Sequence, residues 1–405
     1  MNKKRRLCFC LILSLFFTTG CWDSSEVNDI AIELAWGIDK APNKKVKISA
    51  QVIIPSKMSG GQGGGTGGLS KGKPYFVVSS DGMNTLDAIQ RMQTKLSRQV
   101  FRGHRRVIVI GESMARQGIK DIFDTYTRDP NLKLRTDIFI VKGASANDFL
   151  KTSYPLENIP SLGVLGEYNQ MGTLMEIGLL NFLLSATSEG TCPAIPSVAI
   201  GMNPASQDEE KQKNQYNEEG FRITGPALFN KNLKLVGFLN TEEGRSMRWV
   251  AGNLNKLTVS STIPQVEGNV SIDIYKIGNN IQPIIQGDKL KILVTLTGQG
   301  AIRENNTNLD LTQMKNIILL QNALDKHVEE NVLRTITKVQ EKYGTDVFGF
   351  SDVIRRKNLT LWKSIRNDWE AEFREAEISV NAELTVRQIG VTGPSLHLNP
   401  NEIKK

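Results

Sequence analysis

The sequence holds few of the residues that most often carry chemistry. Among 405 residues there are three histidines (His104, His327 and His397) and four cysteines. Cys8, Cys10 and Cys21 crowd into the first 21 residues, which leaves Cys192 alone in the remainder and excludes a disulfide there. No histidine has a partner at zinc-ligand spacing. Cys192 lies in Thr191-Cys192-Pro193 without a histidine or basic neighbour in sequence, so it reads as a core thiol and not as a nucleophile. Long apolar runs are missing as well. Nothing after residue 21 offers 18 apolar residues in a row, so no later segment is expected to cross a bilayer as a helix. Carboxylates are abundant, but none stands in a recognisable acid–base context, and no catalytic residue is expected.

Glycine is plentiful, and much of it is in one place: eight of the 16 residues from Met58 to Lys73. Gly67 to Lys73 fits the phosphate-cradling pattern G-x-x-x-x-G-K, but Pro74 stands where a serine or threonine is required. Proline has neither a hydroxyl for a metal nor an amide for the cradle. Gly63, Gly65 and Gly68 satisfy G-x-G-x-x-G inside the same tract without a helical pattern directly behind them. The tract reads as a loop, and no cofactor is expected.

What is present begins at the N-terminus. Lys3, Lys4, Arg5 and Arg6 precede an 11-residue apolar run, Leu7 to Phe17, and then Thr18-Thr19-Gly20-Cys21. A basic start, a short apolar stretch and small residues before a cysteine form an export leader. Residues 1–20 are expected to be cleaved and Cys21 to carry a diacylglyceryl and an N-acyl group. Thr18 stands where leucine is usual. The four leader cations account for half of the formal charge of +8, so the mature chain holds 46 basic against 42 acidic residues. A net +4 is too weak for a nucleic-acid binder. Only eight residues separate Cys21 from the first strand-like run, which limits the tether to about 25–30 Å and would keep the body at the bilayer surface.

Residues 21–202 read as a mixed α/β domain. Strands are expected at Ile30–Ile38, Val46–Ile54, Tyr75–Ser80, Val107–Ile110 and Thr136–Val141, with helices at Thr85–Gln99, Ser113–Tyr126 and Leu162–Thr187. A polar run, 203–220, reads as a linker and the main boundary. Residues 221–300 form a β-rich unit and 301–400 a helix-plus-sheet unit, and 221–400 could be one domain. A helix over 311–343 carries one apolar stripe, from Ile317 through Leu320, Leu324, Val328, Val332 and Ile336 to Tyr343. A second, Leu359–Arg374, puts Trp362, Ile365, Trp369 and Phe373 on one face, a pattern of core packing before ligand stacking. Ile378, Val380, Ala382, Leu384 and Val386 alternate with polar residues in a strand. The fold class is α+β, with an antiparallel sheet and long packed helices in the second half.

One cluster invites a functional reading. Phe101-Arg102-Gly103-His104-Arg105-Arg106 sets three arginines just before a strand, and Arg102, Arg105 and Arg106 are candidates for contact with an acidic partner surface or lipid phosphate. A solvated turn is the plainer alternative.

Several stretches, in order along the chain, resemble the Ger(x)C family, the C subunits of nutrient germinant receptors. They are Cys21-Trp22-Asp23 with Gly37-Ile38-Asp39; His104 to Glu112; Arg128-Asp129 with Leu134-Arg135; Gly225-Pro226-Ala227-Leu228-Phe229 with Leu235 to Leu239; and Asp346, Phe348-Gly349-Phe350, Trp362-Lys363, Trp369 and Phe373. The resemblance implies a GerAC-like lipoprotein on the outer surface of the inner membrane of dormant spores, non-catalytic, working with integral-membrane A and B subunits when nutrients trigger germination. It carries over one functional residue, Cys21, as the lipidation site, and leaves open whether this chain itself touches a nutrient. A substrate-binding lipoprotein of an uptake system shares the leader, but it should repeat βαβ units in both halves around a cleft.

Overall fold

The computed structural model describes residues 29–58, 72–129, 133–154, 156–171, 178–201, 220–287 and 289–391, with a few positions beyond. Cys21 and nearly all of the glycine tract lie outside them, as does all of the polar run but Gly220.

Two sheets carry the fold. The first has nine strands: β1 (Ile30–Lys40), β2 (Val46–Ile53), β3 (Tyr75–Gly82), β4 (Gln99–Phe101), β5 (Val107–Gly111), β6 (Asp137–Lys142), β7 (Ala194–Ile200), β8 (Phe221–Phe229) and β9 (Leu235–Phe238). Their order is β3-β2-β1-β5-β6-β7-β8-β9, with β4 beside the start of β1. Pairing is parallel from β1 through β7 and antiparallel on both flanks. The central strands are apolar at successive positions because both faces are covered. In β5, Ile108 and Ile110 enter one core with Trp36, Ile38 and Ile140, while Val107 and Val109 enter the opposite core with Phe139, Val141 and Phe149.

Helices α1 (Thr85–Gln93), α2 (Glu112–Gln117), α3 (Lys120–Thr127) and α6 (Leu179–Thr187) supply the first of these cores. Helices α4 (Ala146–Lys151) and α5 (Pro160–Asn169) supply the second. The helix expected over Ser113–Tyr126 is broken at Gly118, whose φ of 119° lies outside helical space and lets the chain turn between α2 and α3. The helix expected over Leu162–Thr187 is two helices, α5 and α6, and residues 172–177 between them are outside the described set.

The second sheet is β10 (Leu257–Thr262), β11 (Asn269–Gln286), β12 (Lys289–Asn305) and β13 (Glu377–Gln388), in that order. Helix α7 (Thr241–Val250) leads into it behind a capping box, in which Asn240 accepts from the Glu243 amide and Glu243 accepts from the Asn240 amide, each at 2.8 Å. Helix α8 (Met314–Lys338) lays its stripe of Leu320, Leu324, Val328, Val332 and Ile336 on this sheet and passes into a π-turn, Val339–Tyr343. Gly344, at φ 61°, stops it as its position in the sequence suggests. Helices α9 (Phe350–Lys357), α10 (Leu359–Ile365) and α11 (Trp369–Glu375) then return the chain to β13.

Three expectations change here. The β-rich unit placed at 221–300 is divided between the sheets, because β8 pairs with β7 and, with β9, completes the first sheet. The second sheet is not wholly antiparallel: β13 runs parallel to β12, since the helical return from α8 to α11 delivers the chain at the matching end. The helix expected at Leu359–Arg374 is broken by a 3-10 turn at Arg366–Asp368, yet Trp362, Trp369 and Phe373 all reach the core, at 2%, 5% and 0% exposure.

The free edge of β13 is covered by α8. Gln321, Asp325 and Glu329, one turn apart, accept the amides of Val386 (2.9 Å), Leu384 (2.7 Å) and Ala382 (2.9 Å). An exposed strand edge is a template for unwanted pairing, and these three acceptors occupy it.

Candidate functional site

The basic cluster lies beside the start of β1. β4 runs beside the first residues of β1, pairing Gln99 with Ile30 and Phe101 with Ile32, so residues 101–106 follow directly on the strand that flanks the start of β1. The Arg106 amide donates to the Leu34 carbonyl at 2.8 Å and anchors the cluster to the same strand.

Its three arginines are not equivalent. Arg105 is 4% exposed, which withdraws it from the exposed contact surface expected above. Its Nε donates to Glu33 Oε1 at 2.5 Å and its Nη1 to the Tyr126 hydroxyl at 3.1 Å. The guanidinium lies over Trp36, 4.1 Å from the ring centroid. Burial alone would lower the pKa of this guanidinium; Glu33 and Tyr126 more than offset it, and the result is a shift upward. Arg105 is therefore a structural cation inside the first core, paired across 72 residues of sequence. Arg102 is half-buried and bonded to Asp129 at 2.5 Å. Arg106 is exposed, and among the described residues its side chain has neither hydrogen bond nor ion pair. With exposed Phe101 and His104, and with Lys133 donating to the Gly103 carbonyl, it makes a small basic and aromatic face.

Other motif residues prove to be helix caps. Asp39 accepts from the amides of Ala146 (2.7 Å) and Asn147 (2.9 Å) and so closes the N-terminus of α4. Gly111 is a glycine for the same reason: a Cβ there would meet Asp39 Oδ1 at 2.1 Å. Asp346 is buried beneath α9 and accepts from the amides of Phe348, Gly349, Phe350 and Ser351 at 2.8–3.2 Å. Burial pushes its pKa up, and the amides pull it back. Both carboxylates are engaged by backbone amides. Reading along the sequence missed that role, although Gly349-Phe350 directly after Asp346-Val347-Phe348 carries the cap signal.

Cys192 is buried, and desolvation pushes its thiol to about 12, as a core thiol requires. Trp362 Nε1 donates to Glu189 at 2.7 Å, and the Trp362–Trp369 pair packs edge to face at 5.5 Å in the core. Lys73, the lysine of the phosphate-loop pattern, donates to the Lys151 carbonyl at 2.6 Å. Among the described residues no three His, Cys, Asp or Glu side chains gather as a metal site, and no helix is long and apolar enough to cross a membrane.

Comparison with known proteins decides the family. The profile described as spore germination protein N-terminal domain matches residues 23–200, and that described as spore germination B3/GerAC like, C-terminal, matches residues 224–390. The chain belongs to the GerAC-like family of spore germination proteins. It is 28% identical to the putative spore germination protein YfkR of Bacillus subtilis, over 96% of this chain and 98% of that protein. It is 26% identical to spore germination protein KC of the same organism, over 96% and 97%. The crystal structure of the GerBC protein superposes with a TM-score of 0.57 at 19% identity, covering 87% of this chain and 96% of that one. The shared fold is α+β, and the GerAC-like likeness extends through both halves of the chain.

Proposed function

We propose that this chain is a lipid-anchored, non-enzymatic subunit of a nutrient germinant receptor, held by Cys21 at the outer surface of the spore inner membrane and working with integral-membrane A and B subunits. The observation that carries the reading is the match of both family profiles along one chain, 23–200 and 224–390. The architecture supports it. The face bearing Phe101, His104 and Arg106 lies beside the strand that follows the tether, where anionic lipid and partner loops would meet it. The motif carboxylates Asp39 and Asp346 cap helices, and burial pushes the Cys192 thiol up to about 12, which fits structural roles for these three residues. The uptake reading has less support, because the second sheet holds one parallel pair and does not repeat the first.

The test is Cys21→Ala in sporulating cells. Palmitate labelling should disappear and the protein should leave the membrane fraction, since two or more acyl chains are needed for stable anchoring. Wild-type protein should co-purify with multi-spanning subunits from spore membranes. Retained label in the variant refutes the anchor, and recovery of an ATPase-linked permease as partner refutes the receptor.

A further inference from the structure

Where the two sheets meet there is a cleft of about 600 Å³. Helices α5 and α6 of the first sheet form one wall; the end of α7, β11 and the start of α9 form the other. Polar and apolar groups share its surface, with Phe182, Leu184, Met247, Val250, Val347 and Phe348 supplying the apolar part. One charged side chain is out of place in it. Arg248, on α7, is 4% exposed, and among the described residues it makes no hydrogen bond and no ion pair. Its guanidinium lies 5.8 Å from the centroid of the Tyr168 ring, which offsets a small part of the cost of burial. That cost is large for an isolated charge, and native proteins keep such groups paired. Arg105 obeys the rule within the same molecule; Arg248 breaks it. Burial pushes its pKa down, as expected of a cation without a counter-ion.

We propose that the cleft binds a small monocarboxylate, with Arg248 as its counter-ion and the apolar part of the walls holding the rest of the molecule. The planar fork of a guanidinium matches a carboxylate through two parallel hydrogen bonds. Charge in the cleft favours a monoanion. The other charged groups at its wall are Arg356, exposed at the rim, and Asp352, which already accepts from Ser188 (3.1 Å) and Thr191 (2.7 Å). Asp352 also pairs with Arg355 (3.8 Å) and Arg356 stands in solvent at the rim, so Arg248 is the one buried charge at the wall. A phosphate dianion would exceed it. The ligand would touch elements of both sheets, so binding favours the arrangement that brings them together.

The inference stands on the cleft alone, so its failure would leave the receptor assignment intact. The full chain in mild detergent is titrated with acetate, butyrate and benzoate against chloride of equal ionic strength. Butyramide, benzamide and inorganic phosphate serve as controls, with melting followed by tryptophan fluorescence and binding by saturation-transfer NMR. At least one carboxylate should bind saturably at one site and raise the melting temperature, while its neutral amide does neither and phosphate is weaker. Arg248→Met should lose that binding by about 30-fold or more. It should melt at or above the unliganded wild type, because the unpaired charge is gone. Leu184→Trp, at an exposed position on the cleft wall, should block binding with Arg248 intact, and it serves if Arg248→Met fails to fold. The proposal is overturned if no carboxylate binds, if amides or phosphate bind as well as carboxylates, or if both variants bind like wild type.

Discussion

Replacing Arg105 with methionine removes the cation from a site where the two partners' side chains are 3% and 0% exposed. Three contacts go with it: the 2.5 Å bond to Glu33, the 3.1 Å bond to the Tyr126 hydroxyl and the face of Trp36 at 4.1 Å. Glu33 is left as a buried carboxylate without its counter-ion. Breaking one side of a buried pair costs about 3–5 kcal/mol, a large part of the 5–15 kcal/mol that holds a typical domain together. Glu33→Leu alone should cost a similar amount by stranding the guanidinium. The double variant Glu33→Leu/Arg105→Met leaves no charge and should recover most of the loss, because well-packed apolar replacements of a buried pair are close to neutral. Urea unfolding followed by circular dichroism gives the four free energies of the cycle. A single variant costing less than about 1 kcal/mol, or a double variant costing the sum of the singles, would refute a buried, mutually dependent pair. The cycle also bears on the cluster as a contact surface: any reversal that includes Arg105 is a folding defect first.

Reversing the exposed arginine instead, Arg106→Glu, should leave the circular dichroism spectrum intact and lower recovery of the membrane partners, which co-purification reads; undiminished recovery removes this face from the interaction. Gly111→Ala should cost about 1–3 kcal/mol in urea unfolding, since its Cβ would meet Asp39 Oδ1 at 2.1 Å against a carboxylate fixed by two amides. Asp325, raised to about 6 by burial, holds a proton in the folded chain that the unfolded chain has released above about pH 4. Its contribution is present below pH 4 and lost as pH rises through 6. Asp325→Asn should therefore match wild type near pH 4 and exceed it near pH 7 by about 1–2 kcal/mol, after allowance for a half-exposed site; a gap independent of pH would contradict the shift.

Periodicity and local punctuation in the sequence determined much of the fold. The spacing of Leu320, Leu324, Val328, Val332 and Ile336 forces an apolar stripe, and that stripe is the face α8 buries. Alternation in Glu377–Gln388 yields a strand, Gly344 ends a helix, and a lone Cys192 among apolar neighbours becomes a core thiol, because each depends on residues close in the chain. Only the tertiary structure decided which arginine of Arg102, Arg105 and Arg106 is buried, since Glu33 and Trp36 reach Arg105 from a strand some 70 residues away. It also decided that β13 runs parallel to β12, that Gln321, Asp325 and Glu329 occupy its free edge, and that β8 and β9 finish the first sheet. A strand's amphipathic pattern does not name its neighbour or direction, because any sheet with one wet face satisfies it. Arg248 shows the limit most clearly. Within Ser246-Met247-Arg248-Trp249-Val250 it looks like an ordinary surface cation, and only the packing of one sheet against the other leaves it buried, unpaired and facing a cleft.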